Sequence, residues 1–157
     1  MTARCNKIEF IIIDRHYKHS PERVFEAFSR KAAFEQWIAP SDEIGTRVLL
    51  HDFKIGGQYR IEFSIPDSGK LFLKGEYVHI EQPRQICFTW EWEEPDVHAG
   101  INSLVTVDFL EHKGNTRLTI THENLSTLQA TERHIQGWNG ALLRLEKLIT
   151  NQPDIQG

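Results

Sequence analysis

The chain has 157 residues, of which 39% are hydrophobic and 25% are charged, and its formal net charge is −4. These values are typical of one globular domain, and they exclude a coiled coil and an extensively disordered chain. The basic residues are scattered, which argues against nucleic-acid binding and against attachment to an anionic membrane surface. We therefore predict a single domain over residues 1–157 with its core at about 8–149.

The sequence carries no signal for export or for a covalent framework. The longest apolar run near the N-terminus, Phe10 to Ile13, is too short for a membrane-spanning helix or a signal peptide. The two cysteines, Cys5 and Cys87, are too few for a disulfide framework or a Cys-rich zinc site. Cys87 falls within a strand pattern, so we expect a buried, unreactive thiol. The expected location is the cytoplasm.

The first part of the chain predicts a strand followed by two short helices. Ile8–Tyr17 is rich in Ile and reads as a strand. Ser20 is a favoured helix N-cap, and Pro21 suits the first position of the helix that follows. The spacing of the aromatic residues predicts a second helix over Lys31–Trp37, which Pro40 ends.

From Thr46 onwards apolar and polar residues alternate, as they do in strands with one buried face. In the clearest segment Tyr59, Ile61, Phe63 and Ile65 alternate with polar residues. Turn signals recur between the apolar segments, at Pro66–Gly69, Gln82–Pro83, Glu93–Gly100 and Lys113–Asn115. The pattern predicts an antiparallel meander of about six strands in addition to the N-terminal strand.

The last long segment, Asn124–Ile149, has the period of a helix. Its predicted buried stripe consists of Leu128, Thr131, Ile135, Trp138, Leu142, Leu145 and Ile149. A long helix after an antiparallel meander must lay its apolar stripe across the sheet. A curved sheet that grips one helix leaves a hollow for a ligand, unless large side chains such as the nine Phe and four Trp fill it.

The order of these elements resembles the helix-grip arrangement of the START-like, or SRPBCC, superfamily, with an α+β fold. Several stretches are similar to one branch of it, the family of homologues of the activator of heat-shock-protein-90 ATPase. These stretches are Ser20–Phe25, Trp37, Gly56–Arg60, Gly75–Tyr77, Ile80–Pro83, Phe88–Trp90, Val105–Val107, Gly114–Thr116, Thr121–Glu123 and Gly137–Trp138. The resemblance implies a curved antiparallel sheet of about six to seven strands wrapped on the C-terminal helix, with two short helices after the first strand.

The family takes its name from a eukaryotic co-chaperone in which this domain follows a separate N-terminal domain. Because we expect only one domain here, a chaperone partner is not the leading expectation. Other branches of the superfamily are lipid carriers, hormone receptors and aromatase/cyclase enzymes. The resemblance therefore implies the fold more strongly than it implies an activity.

Five residues are candidates for the lining of the predicted hollow. His122 continues the inward face of its strand, so its imidazole could orient a ligand, act as a base or be a satisfied core group. His134 lies one turn before Trp138 on the long helix. Trp90 and Phe63 lie on the inward faces of their strands, and Trp90, Trp92 and Trp138 offer flat surfaces to an aromatic or isoprenoid ligand.

Other polar groups have simpler explanations on the sheet surface. Glu91 and Glu93 share one strand face and could act as paired carboxylates, but they also fit a solvated strand end. Arg60 and Glu62 could line a cavity or form a surface ladder. No metal-ligand spacing or phosphate-binding loop is present, so no metal and no cofactor are predicted.

The sequence thus predicts a protein that binds a hydrophobic or aromatic small molecule for transport, sensing or a stress response. One alternative is a chaperone-linked protein-interaction module. Another is a cyclase-like or hydrolase-like enzyme that uses the cavity, although no residue pattern demands catalysis. A homodimer through an exposed edge strand is compatible with the sequence.

Overall fold

The computed structural model describes residues 10–151. Expectations for Cys5 and for Ile8 as the start of the first strand concern residues outside this range. The elements in chain order are β1 (Ile11–Tyr17), α1 (Pro21–Ser29), α2 (Lys31–Trp37), β2 (Gly45–His51), β3 (Gln58–Ile65), β4 (Gly69–Glu81), β5 (Gln85–Trp92), β6 (Ser103–His112), β7 (Asn115–Glu123) and α3 (Leu128–Asn151).

The seven strands form one antiparallel sheet in the order β1-β7-β6-β5-β4-β3-β2. Each strand from β2 to β7 lies beside its neighbour in sequence, whereas β1 pairs with β7, with Ile11 opposite His122. The curved sheet, the long C-terminal helix and the two short helices after β1 confirm the predicted α+β helix-grip fold. Among residues 10–151, none of the helices combines the length and apolar character needed to cross a lipid bilayer.

The start of α1 follows the local chemistry of the sequence. The Ser20 hydroxyl accepts a hydrogen bond from the backbone N–H of Arg23 at 3.3 Å, and Pro21 occupies the first turn. This capping satisfies a backbone donor that the helix itself leaves without a partner. The predicted bounds of α2, Lys31–Trp37, are confirmed.

Aromatic rings fill the core beneath α1 and α2. We call this part of the core the aromatic end, and its members are Phe25, Phe28, Phe34, Trp37 and Phe109. The rings of Phe28 and Trp37 lie 4.7 Å apart, and those of Phe28 and Phe109 lie 5.3 Å apart, both edge-on. Trp37 is fully buried, and its indole N–H donates to the backbone carbonyl of Ala27 at 2.8 Å. This region is therefore stabilised by close packing of the rings and by a hydrogen bond to a fixed backbone acceptor.

The predictions for the long helix need two corrections. The helix begins at Leu128 rather than Asn124, since Asn124 and Ser126 have positive φ angles of 65° and 72°. Leu128 and Ile135 were expected in the buried stripe but are exposed. At about 100° per residue, both lie roughly a quarter turn from the centre of the buried face. Small or polar residues occupy part of that face instead, namely Ala130, His134 and Ala141.

Two ion-pair systems lie on the face of the sheet opposite the core. The Arg60 guanidinium donates to both carboxylate oxygens of Glu93, at 2.8 and 2.9 Å. Glu62, largely buried, lies 3.2 Å from the Lys70 ammonium. Arg60 and Glu62 therefore bind other partners rather than each other. Glu93 is engaged with Arg60 instead of forming a catalytic pair with Glu91.

The Cys87 thiol does not lie in the core. It is half-buried, 3.5 Å from the Thr106 hydroxyl. The expectation of a buried thiol is wrong because Cys87 lies on the strand face opposite Phe88 and Trp90.

Candidate functional site

An apolar cavity of about 300 Å³ lies between the sheet and α3. Its sheet wall comes from β3, β4 and β5, its helix wall from the middle of α3, and its third wall from the connection between α2 and β2. The lining residues are Ile38, Pro40, Ile44, Phe63, Ile65, Leu71, Trp90, Trp92, Arg133, His134, Gln136, Gly137, Trp138 and Ala141. We call this space the pocket.

Three of the four tryptophans line the pocket, and two of them bind the same histidine. The indole N–H groups of Trp90 and Trp92 both point to Nε2 of His134, at 3.1 and 3.0 Å. An indole nitrogen can only donate, so Nε2 must be the acceptor. Nδ1 of His134 therefore carries the proton and donates to the backbone carbonyl of Ala130 at 2.6 Å. These contacts fix the tautomer of His134.

The second histidine is held by the third tryptophan. The Trp138 indole donates to Nδ1 of His122 at 3.0 Å, so Nε2 of His122 carries the proton. That N–H donates to the Ser103 hydroxyl at 2.8 Å, and Ser103 donates in turn to the backbone carbonyl of Trp90 at 2.8 Å. This chain of hydrogen bonds links α3 to β5, β6 and β7 behind the pocket.

Both imidazoles are neutral at physiological pH. Burial, opposed by the hydrogen bond to Ala130 and reinforced by the charge of Arg133, lowers the pKa of His134 to about 4. Burial, reinforced by the proximity of His134, lowers the pKa of His122 well below its ordinary value. The two rings lie 5.0 Å apart, so a charge on either would disfavour a charge on the other.

The His122–Ser103 contact is not arranged for activation of a nucleophile. A general base would need an unprotonated nitrogen facing the hydroxyl, but the nitrogen of His122 that faces Ser103 carries its proton. The Ser103 proton is also committed to the carbonyl of Trp90. In this geometry the two histidines orient tryptophan rings.

An ion pair borders the pocket next to Trp92. The Arg133 guanidinium lies 4.8 Å from the centre of the Trp92 ring and binds the Asp96 carboxylate at 2.9 Å. The Asp96 side chain is almost fully buried. The positive charge at this side of the pocket is therefore balanced within the protein.

Four of the five predicted candidates, Phe63, Trp90, His134 and Trp138, line the pocket. His122 is fully buried behind Trp138 and does not line it. The wall formed by Ile38, Pro40 and Ile44 was not predicted, because no sequence pattern shows where a connection packs. Gly137 was identified only as part of the family resemblance; a glycine inside a strong helical pattern was the available signal.

No metal-binding group of three or more His, Cys, Asp or Glu side chains occurs within the described range 10–151. The His134 imidazole that lines the pocket is neutral, and its acceptor nitrogen is taken by the indole donors of Trp90 and Trp92.

The model of the family "Activator of Hsp90 ATPase homolog 1-like protein" matches residues 18–150, which is most of the chain. The chain belongs to this family. Comparison with curated proteins gave no match.

Solved structures share the fold across nearly their whole length. Protein CV1439 from Chromobacterium violaceum is 27% identical, with a TM-score of 0.81 over 93% of this chain and 99% of the other. A protein from Rhizobium leguminosarum is 25% identical, with a TM-score of 0.76 over 93% and 97%. The AHSA1 protein from Silicibacter pomeroyi is 24% identical, with a TM-score of 0.77 over 90% and 97%.

Proposed function

We propose that this protein binds a small, largely apolar molecule in the pocket. The observation that carries the proposal is an open cavity of about 300 Å³ with walls of aromatic and aliphatic side chains. This volume is at the lower end for ligand pockets and fits a molecule of about two fused rings. The neutral histidines support the same proposal, because they hold the indole rings without placing a charge beside an apolar ligand.

Burial of apolar surface alone gives a two-ring ligand only modest affinity for the pocket. A two-ring ligand that loses about 200 Å² of apolar surface gains about 5 kcal/mol at about 25 cal/mol per Å². Association costs at least about 4 kcal/mol in lost translational and rotational freedom. A useful affinity therefore depends on the preformed shape of the pocket and on a polar contact that orients the ligand.

The proposal can be tested by filling the pocket from Gly137. This glycine lines the pocket, and a Cβ placed on it meets no atom within 4 Å. We expect Gly137→Leu to fold, because leucine is a good helix former, and to occupy the space that a ligand needs. Gly137→Ala is the matched control, since its single methyl group leaves most of the cavity open.

The measurement is a screen of two-ring aromatics, flavones, sterols and fatty acids by thermal shift and tryptophan emission, with calorimetry for each responding compound. We expect at least one compound to raise the melting temperature of the wild-type protein and of Gly137→Ala, and to lose at least tenfold in affinity for Gly137→Leu. Silence across the whole screen, or equal binding to Gly137→Leu, would contradict the proposal.

The same pair of variants separates this function from a protein-interaction role. A partner protein, including a chaperone, would bind a surface outside the pocket. Its affinity should then be the same for Gly137→Ala and Gly137→Leu. Ligand binding lost in Gly137→Leu beside unchanged partner binding would assign the two activities to different parts of the molecule.

A further inference from the structure

Two indole N–H donors in the pocket wall share one acceptor. The indole N–H groups of Trp90 and Trp92 converge on the single nitrogen Nε2 of His134. The Nδ1 atom of His134 carries the proton and is bound to Ala130, so Nε2 is the unprotonated nitrogen. An unprotonated imidazole nitrogen offers one in-plane lone pair. Only one of the two N–H groups can point along the lone pair, and the other makes the weaker share of a three-centre bond.

The exposure of the two rings indicates which donor a ligand would reach. Trp90 is 7% exposed and lies deeper, beside Trp138 and His122. Trp92 is only half-buried at the end of β5, and its ring lines the pocket. Its N–H can therefore turn from the shared nitrogen to a ligand at a smaller cost than that of Trp90. Trp138 offers no spare donor, because its N–H is bound to His122.

The charge balance around the pocket decides what kind of acceptor fits. Arg133, the cation next to Trp92, is already bound to the buried carboxylate of Asp96. A ligand carboxylate would lose its hydration beside a cation that another anion already neutralises, which is costly in an apolar cavity. A neutral carbonyl oxygen needs only the one donor. Gln136 also borders the pocket, but its side chain is exposed to water.

We propose that the ligand of this pocket is an apolar molecule with a neutral carbonyl group, such as a ketone or an ester, whose oxygen accepts the indole N–H of Trp92. This inference rests on the proposed function and adds the chemical class of the ligand. His134 keeps the N–H of Trp90 as its one donor when the ligand is bound. The pocket thus recognises an oxygen atom without placing a charge in its wall.

The test compares two probes of the same shape, 2-acetonaphthone and 2-isopropenylnaphthalene, which differ in that a carbonyl oxygen replaces a methylene group. We expect the ketone to bind the wild-type protein about threefold to tenfold more tightly, as for one added neutral hydrogen bond. Trp92→Phe should remove that preference by weakening ketone binding more than alkene binding. The third probe, 2-naphthoate, should bind less tightly than the ketone.

A spectrum of the indole N–H groups gives a readout that a merely structural role of Trp92 would not change. In ¹⁵N-labelled protein the ketone should move the Nε1–H signal of Trp92 downfield, while the alkene should not. Trp37 is an internal reference, because its N–H is bound to Ala27 outside the pocket. Trp92→Phe assigns the signal by its loss.

Each outcome is decisive. Equal affinities for ketone and alkene would overturn the inference while leaving the proposed function intact. A shift of the Trp90 signal instead would overturn the assignment to Trp92, and tighter binding of 2-naphthoate would overturn the choice of a neutral ligand. If neither the ketone nor the alkene binds and the compounds of the screen that do bind carry no neutral carbonyl group, the inference is overturned; if nothing binds, the proposed function fails as well.

Discussion

The aromatic end and the pocket are built from the same residue types, but they differ in what satisfies the indole groups. At the aromatic end Trp37 donates to a backbone carbonyl, and phenyl rings occupy the space around it. In the pocket three indoles donate to two imidazoles, and a cavity remains. A backbone carbonyl is always an acceptor, whereas an imidazole nitrogen accepts only while it is unprotonated. The aromatic end is therefore fixed by packing, and the pocket by a hydrogen-bond network that can change.

The largest expected effect is a difference in stability between removing a tryptophan from the closely packed aromatic end and removing one from the pocket wall. Trp37→Ala should lose about 4 kcal/mol in the free energy of unfolding, because it opens a new cavity in a closely packed region. Trp92→Ala should lose less than about 2 kcal/mol, since its half-buried ring borders space that is already open. Urea unfolding of both variants measures the difference. Similar losses would mean that the two regions are packed alike.

Substitutions at two glycines of α3 test closely packed and open space within the pocket region. A Cβ on Gly140 would lie 2.1 Å from the backbone oxygen of Pro40, so Gly140→Ala must displace the helix from this connection. We expect it to destabilise the protein by about 1–3 kcal/mol. Gly137→Ala should instead stabilise it by up to about 1 kcal/mol, because alanine favours the helix and the new methyl group meets no atom. Melting temperatures that move in the same direction for both variants would contradict this account.

The hydrogen-bond network should also make the pocket sensitive to acid. The pKa of His134 is about 4 in the folded protein and about 6.5 in an unfolded chain. Between these values the unfolded state binds more protons, so stability should fall as the pH falls from about 6.5 towards 4. At pH 5 the loss of unfolding free energy due to His134 is about 2 kcal/mol. Protonation of the buried His122 acts in the same direction.

The variant that tests this is His134→Gln, because glutamine keeps an acceptor for the indoles but does not titrate. The loss of unfolding free energy between pH 7.5 and pH 5 should be about 2 kcal/mol smaller in the variant than in the wild type. His51→Gln is the control beside the aromatic end. His51 is less buried than His134, and its pKa is also lowered, mainly by burial. If His51→Gln reduced the loss of stability at low pH more than His134→Gln does, the hydrogen-bond network at the pocket would not be the main source of the acid sensitivity.

Much of the fold follows from local patterns in the sequence. The alternation Tyr59, Ile61, Phe63 places these side chains inward, and Ser20 marks the start of α1, as the structure confirms. The buried face of α3 was predicted less well. Apolar spacing alone included Ile135, whereas the helix turns His134 and Ala141 towards the core.

The pocket was less predictable, because its walls and its polar contacts depend on tertiary structure. Strand parity gave the inward direction of His122, but not that Trp138 would stand between it and the pocket. The side chain of Ile38 reaches the pocket only because the connection after α2 packs against α3. The convergence of two indoles on His134 depends on distances between β5 and α3 that no local pattern encodes.

The position of β1 in the sheet has a consequence for the order of folding. Strands β2 to β7 can assemble from hairpins, because each lies beside its neighbour in the chain. By contrast, β1 must find β7 across about 110 residues, as the pairing of Ile11 with His122 shows, and closing so long a loop costs entropy before contacts compensate. We therefore expect β1 to dock late. The strand that carries His122 would then gain its second neighbour only at the end, so the hydrogen bond from Trp138 to His122 should become fixed with the last step of folding.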